Sequence, residues 1–295
     1  MPLALRKTIF AVREYDLAAT LTSGQAFRWT PRAGAWEGVI GSRWVRLRQV
    51  EGGIQAETPL VDAADPDDWR WLTRYLQTEV DLEHVLASFP DDEPMRAAVA
   101  ACRGLRLLRQ EPWECLASFI LSSTKQIVQI QQIVSALCAR YGEPMAVPLG
   151  PAPAYAFPSA ARLAACAETE LRECKMGFRA PHLLQAARRV ADGEVDLKEL
   201  REWSADDARR ELLRLRGVGP KIADCVLLFA YGFQSAFPVD VWVRKALVRL
   251  YFSKRRPTPR RLHEFATTHF GPHAGYAQQY LFHYIRQAAR PWASA

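Results

Sequence analysis

Leu215-Arg216-Gly217-Val218-Gly219-Pro220-Lys221, followed by Pro238-Val239-Asp240, decides the reading of this chain. Upstream, Ser204-Ala205-Asp206-Asp207 reads as a helix start, with Ser204 as N-cap and Asp207 in the first turn. Leu212, Leu213 and Leu215 form the apolar stripe of that helix, which ends at Gly217. Gly217 and Gly219 permit a tight reversal that other residues resist. Pro220 suits the first position of a second helix, because its missing N–H would be unpaired there in any case. Ile222, Val226 and Phe229 share one face, so this second helix, over residues 221–229, reads as buried.

The pattern predicts a helix-hairpin-helix over about residues 204–232. The backbone N–H groups of Gly217, Val218 and Gly219 then face outward at a helix N-terminus, where the dipole favours an anion. A DNA phosphate fits there without any readout of base sequence. A glycine-terminated helix followed by another helix is the plainer reading. The hairpin, proline and lysine occurring together favour the phosphate.

Lys221 stands in the first turn of the second helix, where the dipole and partial burial both work against its ammonium form. An amine nucleophile has to be neutral to attack. Taken alone, a lysine is more often a solvated surface residue. Asp240 lies 19 residues beyond Lys221 and opens a further helix from Val241. It suits the N-cap, and a capping carboxylate can stay ionised and face a developing sugar cation.

These residues resemble the helix-hairpin-helix DNA glycosylases, and within them the 8-oxoguanine DNA glycosylase/AP lyases. Four further segments carry the narrower resemblance: Ser23-Gly24-Gln25-Ala26-Phe27-Arg28-Trp29, the stretch from Trp113 to Ser123, Met176-Gly177-Phe178-Arg179-Ala180, and the stretch from Gly271 to Gln278. The resemblance runs from about Leu21 to the C-terminal helix. It implies that Lys221 attacks the sugar C1′ and forms a Schiff base, and that Asp240 stabilises the charge on the sugar. It implies further that Cys225 and Phe282 sandwich the flipped base and that Pro238 borders it. Gln278 would bond the base edge, and Gly24 would offer its carbonyl to the N7–H that 8-oxoguanine has and guanine lacks. Phe178 would wedge into the duplex, and Arg179 would read the opposite strand. Read without the resemblance, Cys225 and Phe282 are ordinary core residues, Gln278 a solvated helix residue and Gly24 a turn.

The chain departs from the family's pattern in three places. Thr124-Lys125-Gln126 stands where relatives in higher organisms carry asparagines, and Gln129 stands at an arginine position. These positions contact the cytosine opposite the lesion. Trp242 replaces a histidine near the active-site phosphate, and the loop beyond Tyr251 is shorter.

Composition fits this picture. The 295 residues carry a net charge of +7 and a hydrophobic fraction of 49%, enough for ordinary cores and suited to a polyanion partner. Lys254-Arg255-Arg256, with Arg260 and Arg261, is either a phosphate contact or a solvated loop, and the loop is favoured. No apolar run reaches the ~18 residues of a membrane span, and residues 1–13 lack a signal-peptide pattern. The six cysteines, at 102, 115, 138, 166, 174 and 225, include no C-x-x-C pair, which argues against zinc or an iron–sulfur cluster. They fit a reducing compartment. No redox or organic cofactor is expected, while a structural cation at the hairpin would take carbonyls of Leu213, Leu215 and Val218.

The expected fold is α+β: an N-terminal antiparallel sheet domain packed on an all-α glycosylase body. Short strand-like stretches at residues 27–29, 35–41, 43–49 and 54–57 are separated by turns such as Glu51-Gly52-Gly53. Val45 and Leu47 alternate with Arg46 and Arg48, as in a strand with one wet face. Helix is expected from Asp65, with Trp69, Leu72 and Leu76 on one stripe, and again almost everywhere beyond Pro112. The proline-rich stretch Gly142 to Pro158 reads as an ordered connector. Domains are expected at 1–105 and 106–295. The expected protein is an intracellular, DNA-associated monomer acting on double-stranded DNA that contains oxidised guanine. An alkylbase glycosylase of the same superfamily and a non-catalytic hairpin protein are the alternatives.

Overall fold

The computed structural model describes residues 3–60, 68–123, 125–148, 150, 152–252 and 257–289. Five strands open the chain: β1 (Leu5–Ala11), β2 (Thr30–Arg32), β3 (Ala35–Ile40), β4 (Arg43–Val50) and β5 (Gly53–Pro59). They form one antiparallel sheet in the order β1-β5-β4-β3-β2. The alternation in β4 holds. Val45 and Leu47 are fully buried, while Arg46 lies on the open face and pairs with Glu37 of β3 (2.8 Å) and Glu57 of β5 (3.4 Å). Opposite charges across neighbouring strands support the register.

Two expectations for the sheet change. Residues 27–29 are not a strand, because no neighbouring strand pairs with them. Phe27 and Trp29 are buried in different cores, and Arg28 between them pairs with Glu114 at 3.5 Å. The edge strand β1 went unrecognised in the sequence, since its residues are only partly buried and carry Arg6 and Lys7.

Between β1 and β2 lies α1 (Leu17–Thr22), capped by Asp16. After β5 come α2 (Arg70–Leu76), α3 (Leu82–Ala87), α4 (Glu93–Cys102), α5 (Pro112–Leu121) and α6 (Ile127–Tyr141). The expected helix onset at Asp65 lies outside the described residues. Leu72 and Leu76 form the buried stripe, whereas Trp69 precedes the helix and is only partly covered. The connector after α6 is held by Met145 N–H to Ala154 O (2.9 Å) and Ala156 N–H to Glu143 O (2.8 Å). There follow α7 (Ala160–Ala164), α8 (Glu168–Leu171), α9 (Ala180–Ala191), α10 (Ala205–Leu213), α11 (Pro220–Val226), α12 (Val241–Tyr251), α13 (Pro259–His269) and α14 (Ala274–Ala289). Lys254, Arg255 and Arg256 lie outside the described residues. Arg260 and Arg261 sit in the first turn of α13, not in a loop, and Arg260 bonds Glu264 one turn on.

Two buried clusters organise these elements. One packs the sheet on α1 and α2 and ends at Leu108. The other joins α3 through α14 into one helical core. Gln25 stands where they meet and is fully buried. Its Nε2 donates to the carbonyls of Thr20 (2.9 Å) and Arg106 (2.8 Å), and its Oε1 accepts from Leu108 N–H (2.8 Å).

Candidate active site

The hairpin forms as its sequence dictates. Ser204 caps α10 by accepting from Asp207 N–H at 3.1 Å, and Pro220 takes the first position of α11. Gly217 has φ +85°, and a Cβ there would come within 2.6 Å of the His182 ring, so both conformation and space require glycine. Gly219 is different. Its φ of −98° is available to any residue, so the reversal needs glycine at 217 alone. A side chain at 219 would project into open space before α11. Leu212 and Leu215 are buried, but Leu213 is 39% exposed and does not belong to the stripe. Val218 N–H donates to the Leu215 carbonyl at 3.0 Å, so this N–H does not face outward for a phosphate as expected, and one of the carbonyls assigned to a cation is already engaged. The described residues hold no cluster of three or more His, Cys, Asp or Glu that could bind a metal.

One cavity gathers the chemistry. Gly24, Phe119, Lys221, Cys225, Phe229, Pro238, Asp240, Gln278, Gln279 and Phe282 line a space of about 40 Å³. Six residues singled out in the sequence as catalytic or base-binding are among them, as is Pro238. They come from four separate parts of the chain: the loop after α1, the start of α11, the loop before α12, and α14. A cavity of this volume holds a few waters and falls well below the roughly 300 Å³ of a typical ligand pocket.

Each side chain has a definite setting. Lys221 Nζ donates to Ser122 Oγ at 3.1 Å and lies 5.0 Å from the centroid of the Phe119 ring. Cys225, one turn along α11, meets the same amine, and burial pushes its thiol up to about 12. The sulfur therefore stays neutral. Asp240 caps α12, its Oδ1 accepting from Val243 N–H at 2.8 Å. Gln278 is not a solvated helix residue: it is 4% exposed, and its Oε1 is buried with no hydrogen-bond partner. An unpaired buried amide oxygen costs on the order of 1–3 kcal/mol, so such a group in a site is a ready acceptor. Phe282 lies one turn further along α14, with Arg286 5.2 Å from its ring centroid on the next turn.

Gly24 has φ +83°, and a Cβ there would come within 2.7 Å of Ile127 and 3.3 Å of Phe282. The carbonyls on either side of it are both engaged. Gln279 Nε2 donates to Ser23 O (3.1 Å), and Gln110 Nε2 donates to Gln25 O (2.6 Å). These bonds hold the loop firmly around the Gly24 carbonyl.

The residues assigned to DNA outside the cavity divide. Phe178 is 54% exposed and follows Gly177 at φ +59°. Arg179 lies over the Phe178 ring (4.8 Å) and donates to the hairpin carbonyl of Gly217 at 3.4 Å. Thr124 lies outside the described residues. Gln129 sits in the first turn of α6, where its Oε1 accepts from Gln126 N–H at 2.9 Å. Trp242 is 39% exposed, with Lys245 5.3 Å from its ring. Sequence reasoning missed Ser122, Phe119 and Gln279. Ser122 and Phe119 fall within a quoted segment, but nothing local marked them as partners of Lys221.

A lysine at the start of α11 and an aspartate capping α12, on one cavity behind a glycine hairpin and on a sheet-plus-helix frame, match a DNA glycosylase architecture. Comparisons with known proteins narrow the class. The N-terminal domain family of 8-oxoguanine DNA glycosylase matches residues 7–116, and the HhH-GPD superfamily of base excision DNA repair proteins matches residues 117–271. A probable N-glycosylase/DNA lyase of Methanothermobacter thermautotrophicus is 31% identical over 94% of this chain and 95% of its own length. The solved structure of MBOgg1 with a low-affinity DNA ligand is 32% identical, with a TM-score of 0.89 over 98% of this chain and 100% of that one. The Clostridium acetobutylicum 8-oxoguanine glycosylase/lyase, in complex with double-stranded DNA containing cytosine opposite 8-oxoG, is 28% identical. Its TM-score is 0.85 over 98% and 99% of the two chains. The chain belongs to the 8-oxoguanine DNA glycosylase family of the HhH-GPD superfamily.

Proposed function

We propose that Lys221 and Asp240 are the catalytic pair of this bifunctional 8-oxoguanine DNA glycosylase and AP lyase of base excision repair. The observation that carries the assignment is the convergence of Lys221, Cys225, Asp240, Gln278, Phe282 and Gly24 on one cavity. The base reaches that cavity only by leaving the stack, because C1′ and the base edge are inaccessible inside the duplex. Cys225 and Phe282 sandwich it, Gln278 Oε1 accepts from its edge, and the Gly24 carbonyl accepts from the N7–H.

The Lys221 amine pair forms the bond to C1′ as the glycosidic bond breaks and its pair leaves with the base. Asp240 faces the positive charge that builds on the sugar. The nitrogen gives a proton to the departing base, and its pair then forms C=N as the C1′–O4′ bond breaks and O4′ takes up a proton, which opens the ring to the Schiff base. Loss of a C2′ proton then expels the 3′ phosphate and nicks the strand. Gly217 and Gly219 hold a backbone phosphate, Phe178 fills the gap in the stack, and Arg179 faces the opposite strand. Gln129 stands on the side of the opposing base. The partner is double-stranded DNA containing oxidised guanine, engaged by a monomer inside the cell.

Borohydride reduction tests the reading. The protein mixed with an 8-oxoguanine duplex should become covalently attached to the DNA, and with an undamaged duplex it should not. Base release without a trapped adduct would point to water as nucleophile and remove Lys221 from this role.

A further inference from the structure

The last turn of α5 takes hold of the Lys221 amine. Ser122 Oγ accepts from Lys221 Nζ at 3.1 Å and donates to the Phe119 carbonyl at 2.7 Å. The same carbonyl takes the Ser122 N–H at 3.1 Å. The hydroxyl proton is therefore committed to the backbone, and only the oxygen lone pairs remain for Lys221. The Phe119 ring, 5.0 Å from Nζ, closes another side. That ring is itself stacked on Phe229 (5.6 Å between centroids), so the whole cradle is part of the helical core.

A neutral lysine amine has two N–H bonds and one lone pair. With one N–H given to Ser122, the other turned to the Cys225 sulfur and the Phe119 ring closing a further side, the lone pair is left for the cavity. The Schiff base that follows keeps one N–H, now on a charged nitrogen, and a fixed acceptor for it stands in the same place. Hydrogen bonds to ionised groups are roughly twice as strong as neutral ones.

We propose that Ser122 is a positioning residue for the nucleophile: its hydroxyl, fixed as an acceptor by the Phe119 carbonyl, aims the Lys221 lone pair into the cavity and then holds the iminium N–H. The proposal rests on the reading of Lys221 as nucleophile. It concerns glycosidic cleavage and strand nicking equally, because both pass through the same nitrogen.

The experiment compares Ser122→Ala, Ser122→Thr and Lys221→Gln in the full chain, on an 8-oxoguanine duplex and on a preformed abasic duplex. Ser122→Ala should slow single-turnover excision and borohydride trapping on the abasic duplex together, each by about ten- to a hundredfold, the loss expected for one hydrogen bond to a charged group. Its affinity for a non-cleavable abasic analogue should stay within about twofold of the parent. Ser122→Thr, which restores the hydroxyl, should recover most of both rates. Parental rates in Ser122→Ala, with Lys221→Gln inactive, would overturn the role of Ser122 alone. Trapping by Lys221→Gln would overturn the underlying reading. A slow Ser122→Ala that threonine does not rescue, with a lowered melting temperature, would mark Ser122 as a helix cap only and overturn the proposal.

Discussion

Lys221 is a half-covered lysine whose amine is held on one side by a serine and on another by an aromatic face. Lys221→Gln keeps most of the side chain's bulk and removes the proposed nucleophile. It should abolish both excision and trapping while leaving affinity for an 8-oxoguanine duplex within a few fold, since the phosphate grip proposed for the hairpin uses backbone groups and not this side chain. Near-parental excision in a single-turnover assay would refute the assignment. Cys225 gives a second expectation. Its thiol is pushed up to about 12 by burial, from an ordinary 9.0. Between those two values an unfolded chain loses a proton that the folded chain keeps. The neutral thiol therefore supports folding fully below pH 9 and loses that support as pH rises towards 12. At pH 8, alkylation of Cys225, followed by mass spectrometry, should be far slower in the folded protein than in denaturant. Equal rates would show the thiol to be accessible and ionisable. Lys221 and Cys225 were singled out through the family resemblance that the hairpin motif carries; taken alone, one reads as a surface lysine and the other as a core cysteine. Ser122 was not, because its bond to Lys221 spans 99 residues and a lone serine carries no pattern.

Asp240 does two jobs at the level of the element: it caps α12 and lines the cavity. Asparagine caps a helix about as well as aspartate, whereas alanine costs roughly 0.5–2 kcal/mol. Asp240→Asn should therefore keep its stability and lose much of its excision rate, while Asp240→Ala should lose both. Urea melts and single-turnover rates on the two variants separate the roles. Equal destabilisation of both would show that the carboxylate charge, not the cap, supports α12. The start of α6 yields a different expectation. Gln129 already bonds the backbone N–H of Gln126 and is neutral, so it lacks the several fixed donors that arginine offers to a cytosine edge. One charged hydrogen bond to a base edge is worth about 1–3 kcal/mol of discrimination. Excision opposite adenine, guanine or thymine should then stay measurable, with cytosine only modestly favoured, in four duplexes that differ at that one base. A preference of several powers of ten would mean that other residues read the cytosine. The elements themselves were legible to unequal degrees. Caps and glycines marked α10, α11 and α12, and alternation marked β4. The edge strand β1 shows neither device: it is defined only by its pairing with β5 some fifty residues away, which no local pattern encodes.

Taken as a whole, the molecule is two cores fastened together by glutamines. Gln25 bonds across the junction, and Gln110 and Gln279 fix the carbonyls beside Gly24. Gln25→Ala would leave several of these buried groups unpaired, each costing on the order of 1–3 kcal/mol. It should lower the melting temperature by several degrees and weaken discrimination between 8-oxoguanine and guanine in the same protein. An unchanged melting temperature would show that water replaces the amide. These glutamines were legible only in part: Gln25 sits in a quoted segment, but Gln279 follows Gln278 and looks like its solvated neighbour. The cavity they frame has a consequence of its own. At about 40 Å³ it offers no standing berth for a purine. Whatever purine enters must first move its walls apart, and a binder's apparent affinity is reduced by the fraction of time those walls stand apart. A free base in the surrounding solution meets that toll in full, with no attached strand to help it. On the proposed reading of this cavity as the base pocket, the released base should be a poor competitor for it, and molecules built to block the enzyme should do so best when they bring the duplex with them.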